Sequence, residues 1–538
     1  MLTAVPVGSA RQEVASPLRA GVTIVPVDVH VTARDGRAVT DLAPSDFVLY
    51  EDGVRQEIRA FATRQVTADP SLAGLPLLRR DGPSIDVTPQ NRRIILIVIG
   101  HAPAQPAIAA MSEFVRRSLP QDQIAVAAWN RATPFTSAHE RLAQLLDRLA
   151  GEHDRIDAEI AAALASHGRG IYEDEPPLPD AVQRNIDRVL GDVATPVSDA
   201  HVSFTASISV VGGLSPAEYS SGNATNLDLL TARAAVSYLR GIDGEKHLVF
   251  IAPPADPVAV IDPHSLADEA NDARVAVHFF GGDSHARPPV SAAPRSIGLA
   301  LDRPDLLNVA LGTAGGAGRG QESQRAAMID NASRFVYVLG YSPTHPAPND
   351  KFRKIVVRLN LGNNSPAIKK LLVRPEGEHD VRWRAGYFPG SSPPPLDATQ
   401  VRTYKRIAAA AVADKPIDDI KLKVRANAGP HDVTISLQVD IGLPASETQG
   451  EQPMALTVFA YTTDLHGLFL PDGLTESLSL PVARGAPRTP SGAPVSLQMP
   501  LRLQPPGVMS AKHCKVIVYD AASDRVGSQI VTLTPRAR

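Results

Sequence analysis

One apolar run constrains the fold of this chain more than any other feature. Residues 94–99 read IILIVI, six consecutive apolar side chains with no polar residue among them. Since successive side chains of a strand point to opposite faces, such a run predicts a strand that is buried on both faces. Both faces of a sheet are covered mainly where helices pack on each side. The run therefore predicts a central strand of a parallel α/β sheet.

The segments that follow this run alternate between helix-type and strand-type spacing of their apolar residues. Helix-type spacing predicts helices at residues 107–119, 138–165 with a break near Gly151, 181–193, 226–240, 263–273 and 328–333. Strand-type runs predict strands at residues 123–129, 247–252, 275–280 and 335–339. Because strands that alternate with helices build parallel sheets, we expect a doubly wound, mostly parallel α/β domain.

Residues on either side of this α/β region show the two-residue alternation of half-buried strands. Residues 22–33 form one such run, and residues 47–61 predict a hairpin that turns at Asp52–Gly53, a dipeptide favoured in tight turns. From residue 398 onward, short alternating runs separated by turn residues predict a β-sandwich. The expected organisation is a disordered or signal-like segment (1–20), an N-terminal β unit (21–68), a linker (69–90), a Rossmann-like α/β domain (91–345) with a helical insertion at about 140–220, a β extension (346–388), a proline-rich linker (389–400) and the β-sandwich (401–538).

Composition excludes several classes of function. A chain of 538 residues is too long for a single core, and its net charge of −3 gives no reason to expect nucleic acid as a partner. Its one cysteine, Cys514, excludes an internal disulfide. No stretch approaches the roughly 18 apolar residues that a membrane-spanning helix needs. The first ten residues lack a basic start and make a poor signal peptide, unless they are the end of a longer one.

Four segments together carry a resemblance to a known family. They are residues 27–39 (VDVHVTARDGRAV); Asp41–Leu42 with residues 46–53 (DFVLYEDG), Gln56 and Phe61; Arg92–Arg93 with the strand and helix that follow; and residues 337–343 (YVLGYSP), 352–355 (FRKI) and 384–387 (RAGY). In their order and spacing, these segments resemble the bacterial VWFA-related domain proteins of the acidobacterial type. The resemblance covers roughly residues 20–390 and implies a von Willebrand factor A-like (VWA-like) core with flanking β segments. It also implies export to the periplasm or the exterior, but no reaction.

A VWA domain holds Mg²⁺ with oxygen ligands from three loops at the carboxyl edge of its sheet, and the resemblance lets each loop be compared. The first loop, an Asp-x-Ser-x-Ser pattern after the first strand, corresponds here to Gly100, Ala102 and Ala104, which carry no side-chain oxygen. The threonine of the second loop corresponds to Thr225, but the simpler interpretation, which we favour, is that Thr225 caps the helix predicted from residue 226. The aspartate of the third loop is matched only by Asp256, displaced along the chain. Mg²⁺ requires near-octahedral oxygen ligation, so the resemblance implies a degenerate site that binds no metal.

The sequence thus favours a non-enzymatic protein that recognises an unidentified protein partner, with no cofactor, metal, catalytic residue or small-molecule substrate. The candidate partner-binding positions are His101, which lies in the vacated first loop, Thr225 and Asp256. Two alternatives stay open: a Mg²⁺-dependent adhesin with non-standard ligands, and an enzyme of uncharacterised class in which the 140–220 insertion lines a pocket. The glycine-rich segment 315–320 lacks the Lys-Ser/Thr pair of a phosphate-binding loop and does not support nucleotide binding.

Overall fold

A computed structural model of the chain describes most of its secondary structure. The described residues are 24–33, 37–73, 77, 91–100, 103, 105–129, 131–165, 178–191, 224–242, 244–252, 263–280, 322–344, 351–363, 365–368, 379–389, 398–413, 415–428, 433–440, 456–463, 495–501, 512–521 and 523–535.

The helices and strands named below are numbered in chain order. The helices are α1 (Gln105–Arg116), α2 (His139–Ala165), α3 (Asp180–Leu190), α4 (Ala224–Arg240), α5 (Pro263–Asp272), α6 (Glu322–Ser333) and α7 (Ala398–Val412). The strands before residue 300 are β1 (Val25–Ala33), β2 (Phe47–Glu51), β3 (Val54–Gln56), β4 (Ala60–Gln65), β5 (Arg93–Ile99), β6 (Gln123–Ala128), β7 (Arg131–Ala132), β8 (Glu245–Ile251) and β9 (Val275–Phe280). The later strands are β10 (Phe335–Tyr341), β11 (Arg353–Leu359), β12 (His379–Trp383), β13 (Gly386–Tyr387), β14 (Ile417–Asp418), β15 (Lys421–Ala428), β16 (Val433–Asp440), β17 (Leu456–Thr463), β18 (Val495–Leu501), β19 (His513–Asp520), β20 (Arg525–Thr532) and β21 (Thr534–Pro535).

The apolar run at residues 94–99 lies at the centre of a five-stranded sheet. Its order is β7-β6-β5-β8-β9, with β5 parallel to both neighbours, β9 parallel to β8, and β7 antiparallel at one edge. All seven residues of β5 are buried. Ile94, Leu96 and Val98 contribute to the core that also includes residues of α4 and α5, and the intervening isoleucines contribute to the core beneath α1, α2 and α3. The structure confirms a mixed α/β fold with a mainly parallel sheet that is covered on both faces.

The strand order reverses at β5, because the connections that follow it place strands on both of its sides. The chain passes through α1 to β6 on one side, and later returns to place β8 on the other side. In open α/β sheets, the crevice at such a reversal lies outside the carboxyl ends of the strands. Here that edge is formed by the residues that follow β5, β6 and β8.

The prediction that residues 335–339 join the parallel sheet is wrong. β10 instead lies in an antiparallel sheet of order β12-β1-β10-β4, in which Leu339 pairs with both Val27 and Phe61. Alternation along the chain shows that a strand follows a helix, but the pairing partner is set by distant segments.

The segments predicted as an N-terminal β unit and a β extension also share one hydrophobic core, which includes Leu49 and Ile355.

The hairpin prediction is confirmed in its first part only. β2 and β3 turn at Asp52 (φ 50°) and Gly53 (φ 82°), the left-handed pair that a two-residue hairpin needs. The returning arm pairs with β2 only as far as Gln56, and Phe61 belongs to β4 in the other sheet.

Two predictions about helices are corrected. The helix α2 runs without a break through Gly151, and α7 was not predicted from the sequence.

The C-terminal region is rich in β structure. It contains two four-stranded sheets, β14-β20-β19-β17 and β18-β16-β15-β21, and one core cluster includes residues from both. The helix α7 covers the outer face of the first sheet, where Ile407 belongs to a cluster with Phe459 and Tyr519. None of the helices in the described ranges is both long enough and apolar enough to cross a membrane.

Candidate functional site

The carboxyl edge of the parallel sheet is the candidate site, because three strand ends meet there. Gly100, Trp129 and Ala252 follow β5, β6 and β8 directly. Backbone hydrogen bonds hold two of these ends in register. The N–H of Gly100 donates to the carbonyl of Ile251 at 2.7 Å, and the N–H of Ala252 donates to the carbonyl of Phe280 at 3.0 Å.

The three predicted partner-binding positions are only partly described. His101 and Asp256 lie outside the described residues. Thr225 is the second residue of α4, which begins at Ala224 and not at the predicted residue 226. Thr225 therefore lies in the first turn of α4, at the carboxyl edge of the sheet, and its side chain is outside the description.

The space beside Gly100 is already filled. A β-carbon added to this residue would lie 2.7 Å from Oδ1 of Asp228 and 2.9 Å from both Cβ of Ala252 and Cε1 of Phe250. Such separations are well inside normal van der Waals contact, so no side chain fits without a shift of its neighbours. At the position where the resemblance implies a ligating aspartate, the fold accommodates only glycine.

Asp228 brings a carboxylate to this edge from a different element. It lies in the first part of α4, where it is 1% exposed, and its Oδ1 faces Gly100. Thr231, one turn later, is equally buried, and its hydroxyl has no hydrogen-bond partner among the described residues. The sequence analysis did not identify Asp228. The available signal was the Thr-x-x-Asp spacing from Thr225, which is typical of a helix start.

The described part of the edge does not fit a divalent metal. Within the described ranges, no three His, Cys, Asp or Glu side chains are grouped so that they could hold an ion. Asp228 is the one carboxylate that the structure places against Gly100 among these residues. A single buried carboxylate falls far short of the six oxygen ligands of Mg²⁺.

We expect Gly100→Ala to lower the free energy of unfolding by about 1–3 kcal/mol, since it forces an additional methyl group into a packed region. Gly151→Ala is the matched control, because a β-carbon there meets nothing within 4 Å and the residue lies in the interior of α2. That control should gain about 0.5–1 kcal/mol from the better helix propensity of alanine. Urea unfolding followed by fluorescence in a Trp383→Phe background, where Trp129 is the remaining tryptophan, measures both changes. Equal effects of the two substitutions would contradict the filled space at Gly100.

A second cluster at the same edge joins β6 to the later half of α2. Trp129 has φ 52°, a left-handed conformation that is rare for a bulky residue. Its ring stacks on that of His153 at a centroid distance of 4.8 Å, and its Nε1–H donates to Oδ1 of Asp157 at 2.8 Å. Nδ1 of His153 lies 3.2 Å from Oδ2 of Asp157, but neither ring nitrogen makes an aligned hydrogen bond.

This Trp129–His153–Asp157 cluster fixes the shape of the edge. His153 is 1% exposed, so its ring acts as a packing surface for the indole rather than as a group that reaches solvent. The indole covers the end of β6, and Asp157 anchors it to α2. The sequence did not predict this cluster because Trp129 and His153 are 24 residues apart in the chain, although the four-residue spacing of His153 and Asp157 was visible.

Comparisons of the chain with family profiles, with curated proteins and with solved structures give no match.

Proposed function

We propose that this chain is a non-enzymatic recognition protein whose VWA-like domain binds a protein partner without a metal ion. The observation that carries the proposal is the filled space beside Gly100, where Asp228, Ala252 and Phe250 leave no room for a ligating side chain. At position 100, the ligating side chain is absent and the space that it would occupy is filled by neighbouring residues. If only the side chain had been lost, a cavity would remain beside Gly100.

The topology supports a VWA-like core. The resemblance implies a doubly wound, mostly parallel sheet with helices on both faces. The sheet β7-β6-β5-β8-β9 has each of these features. The two C-terminal sheets that share a core support a β-sandwich as a second recognition module or a stalk. Export to the periplasm or exterior remains part of the proposal and depends on the resemblance alone.

The carboxyl edge of the sheet is the proposed binding surface. Residues at the two ends of α1 test this, because one end lies at the carboxyl edge and the other at the amino edge. Gln105 begins α1 at the carboxyl edge and is exposed, whereas Arg117 follows the same helix at the amino edge and is also exposed. A photo-crosslinking amino acid at position 105 should give a discrete protein adduct in an extract of the producing cells, with or without EDTA. The same amino acid at position 117 is the matched control. Equal adducts from both positions, or an adduct abolished by EDTA, would overturn the proposal.

One observation favours the Mg²⁺-dependent adhesin as the second candidate. The carboxylate of Asp228 lies at the edge where a metal loop would be, and Thr225 lies in the same first turn of α4. If these two residues form a relocated site, calorimetric titration with Mg²⁺ and Mn²⁺ should show binding that Asp228→Asn and Thr225→Ala each abolish. Our proposal predicts no heat of binding in any of the three proteins.

A further inference from the structure

The antiparallel sheet that contains β1 meets the α/β sheet through an interface of charged and polar groups. Nη2 of Arg274 donates to Oδ2 of Asp28 at 2.7 Å, and Arg64 contacts the carboxylate of Glu245. Nη1 of Arg384 donates to the carbonyl of Asn271 at 3.2 Å. Interfaces of this kind depend strongly on the protonation state of their members, since burial amplifies each charge.

Three histidines lie buried in this interface. They are His30 of β1, His247 of β8 and His278 of β9, each no more than 5% exposed. We call them the histidine cluster. The rings of His247 and His278 stack at a centroid distance of 5.2 Å. His30 reaches from the opposite sheet, and its Nε2 lies 3.9 Å from Oε1 of Glu245, which is also 3.6 Å from Nε2 of His247.

The hydrogen bond between His247 and His278 requires that at least one of these two rings is neutral. Nδ1 of His247 lies 3.0 Å from Nε2 of His278, so one nitrogen must donate and the other must accept with a lone pair. A proton added to the acceptor would set two N–H groups against each other. Nδ1 of His30 lies 2.9 Å from the carbonyl of Ala332, which can only accept, so Nδ1 carries the hydrogen and Nε2 is bare in the neutral ring.

The surrounding charges do not favour a protonated cluster. The groups that face it are Asp28 from β1, Arg64 from β4, Arg93 from β5, Glu245 from β8 and Arg382 from β12. The two carboxylates in this set already have arginine partners, since Asp28 pairs with Arg274 and Glu245 with Arg64. A protonated imidazole in the cluster would therefore gain little from these carboxylates, whose charges are already paired with arginines, and it would be repelled by the guanidinium groups.

Burial and these neighbours lower the pKa of all three imidazoles. Burial is the largest cause for each ring, and it lowers the pKa of His278 to about 3, with the charges of Arg382 and His30 adding to the effect. The pKa of His247 falls well below its usual value through burial, His278 and Arg93. Burial also lowers the pKa of His30, although the carbonyl of Ala332 and the charge of Asp28 act in the opposite direction.

We propose that the histidine cluster is an acid-sensitive latch that holds the β1 sheet against the α/β sheet near neutral pH and releases it on acidification. We call the arrangement with the two sheets in contact the closed state. A histidine whose pKa is lower in the closed state than in solvent stabilises the closed state fully at pH values above its solvent-exposed pKa of about 6.5. This stabilisation is lost as the pH falls toward the pKa of the histidine in the closed state. For His278 alone, the ratio of open to closed protein should rise about 25-fold between pH 7 and pH 5.

A distance between the two sheets tests the latch in the full chain. Cys514 is 1% exposed and burial raises its pKa to about 12, so spin labels will attach selectively to introduced cysteines. Thr63→Cys on β4 and Glu113→Cys on α1 are suitable, because β4 belongs to the β1 sheet, α1 packs on the α/β sheet, and both residues are exposed. Pulsed electron paramagnetic resonance should show one narrow distance at pH 7 and a longer, broader distribution at pH 5.

Substitutions identify the groups responsible. His247→Gln/His278→Gln cannot take up these protons, so its label distance should be the same at pH 7 and pH 5. His513→Gln in β19, outside the cluster, is the matched control and should keep the response. If the double variant does not fold, His30→Gln should retain the bond to Ala332 and shift the acid transition to lower pH. An unchanged distance at pH 5 in the labelled chain, or a response that survives the cluster substitutions, would overturn the latch.

Discussion

Arg93→Met is expected to lower the free energy of unfolding by about 3–5 kcal/mol, the usual cost of removing one partner from a buried ion pair. The Arg93 side chain is fully buried at the start of β5. Its Nε donates to both carboxylate oxygens of Asp122 at 3.2 Å, and its Nη2 adds a 2.5 Å bond to Oδ2. Nη1 donates to Oδ1 of Asp330 at 2.8 Å and to the hydroxyl of Ser333 at 2.7 Å.

One guanidinium thus connects β5, the turn before β6 and the end of α6. Burial alone would lower the pKa of Arg93, but the charges and hydrogen bonds of Asp122 and Asp330 outweigh it, and the pKa is raised. Methionine fills a similar volume but leaves the carboxylate of Asp122 buried without its counter-charge, and that residual charge is the source of the large effect.

Urea unfolding in a Trp383→Phe background, where Trp129 is the remaining tryptophan, measures the Arg93 effect by fluorescence in the sheet concerned. Arg117→Met is the matched control, because Arg117 pairs with Glu113 at the surface, where the two side chains are 53% and 48% exposed. That control should change the free energy of unfolding by less than about 0.5 kcal/mol. Similar losses from the two substitutions would show that the buried network is unimportant.

The apolar pattern of the sequence predicted the parts of the fold that local spacing determines. The run at residues 94–99 became β5, and the neighbouring helices and strands lie within a few residues of their predicted bounds. Pairing between distant strands was not predictable in this way. β10 follows a helix like the parallel strands do, but β1 and β4 provide its neighbours from about 300 residues earlier. The helix α7 was not predicted, although Tyr404, Ile407 and Ala411 have helical spacing, because the short alternating runs that follow it favoured strands for the whole region.

The candidate site shows the same division between local and long-range information. The absence of an oxygen ligand at Gly100 was visible in the sequence, but the reason that no side chain fits was not, since it depends on Asp228 and Phe250. Arg93 was noted only as part of a resemblance, and its role emerges from contacts with Asp122 and Asp330. The sequence gives the identity of such residues, but their roles follow from contacts across the fold.

Trp129→Ala should also lower the free energy of unfolding by about 3–5 kcal/mol, the range for large aromatic side chains removed from a core. Trp129 is 3% exposed, packs with residues of α1, α2 and α3, and covers His153. Its removal leaves a cavity over the imidazole and deprives Asp157 of the indole hydrogen bond. Trp129→Phe keeps most of the packing and loses the N–H, so we expect a smaller cost of about 1–2 kcal/mol.

A comparison of Trp129→Gly with Trp129→Ala tests whether the left-handed backbone at this position is strained. At φ 52°, alanine carries a steric cost of about 1–2 kcal/mol that glycine does not. Trp129→Gly should therefore be more stable than Trp129→Ala by about 1 kcal/mol, the reverse of the order found in a helix or strand interior. Urea unfolding followed by far-ultraviolet circular dichroism measures both variants without the lost indole signal. If alanine is the more stable replacement, the backbone at this position is not strained, and packing alone holds Trp129 at the carboxyl edge. If glycine is more stable, the contacts of the indole with His153 and Asp157 hold the backbone in a conformation it would otherwise avoid, at the edge where we propose that the partner binds.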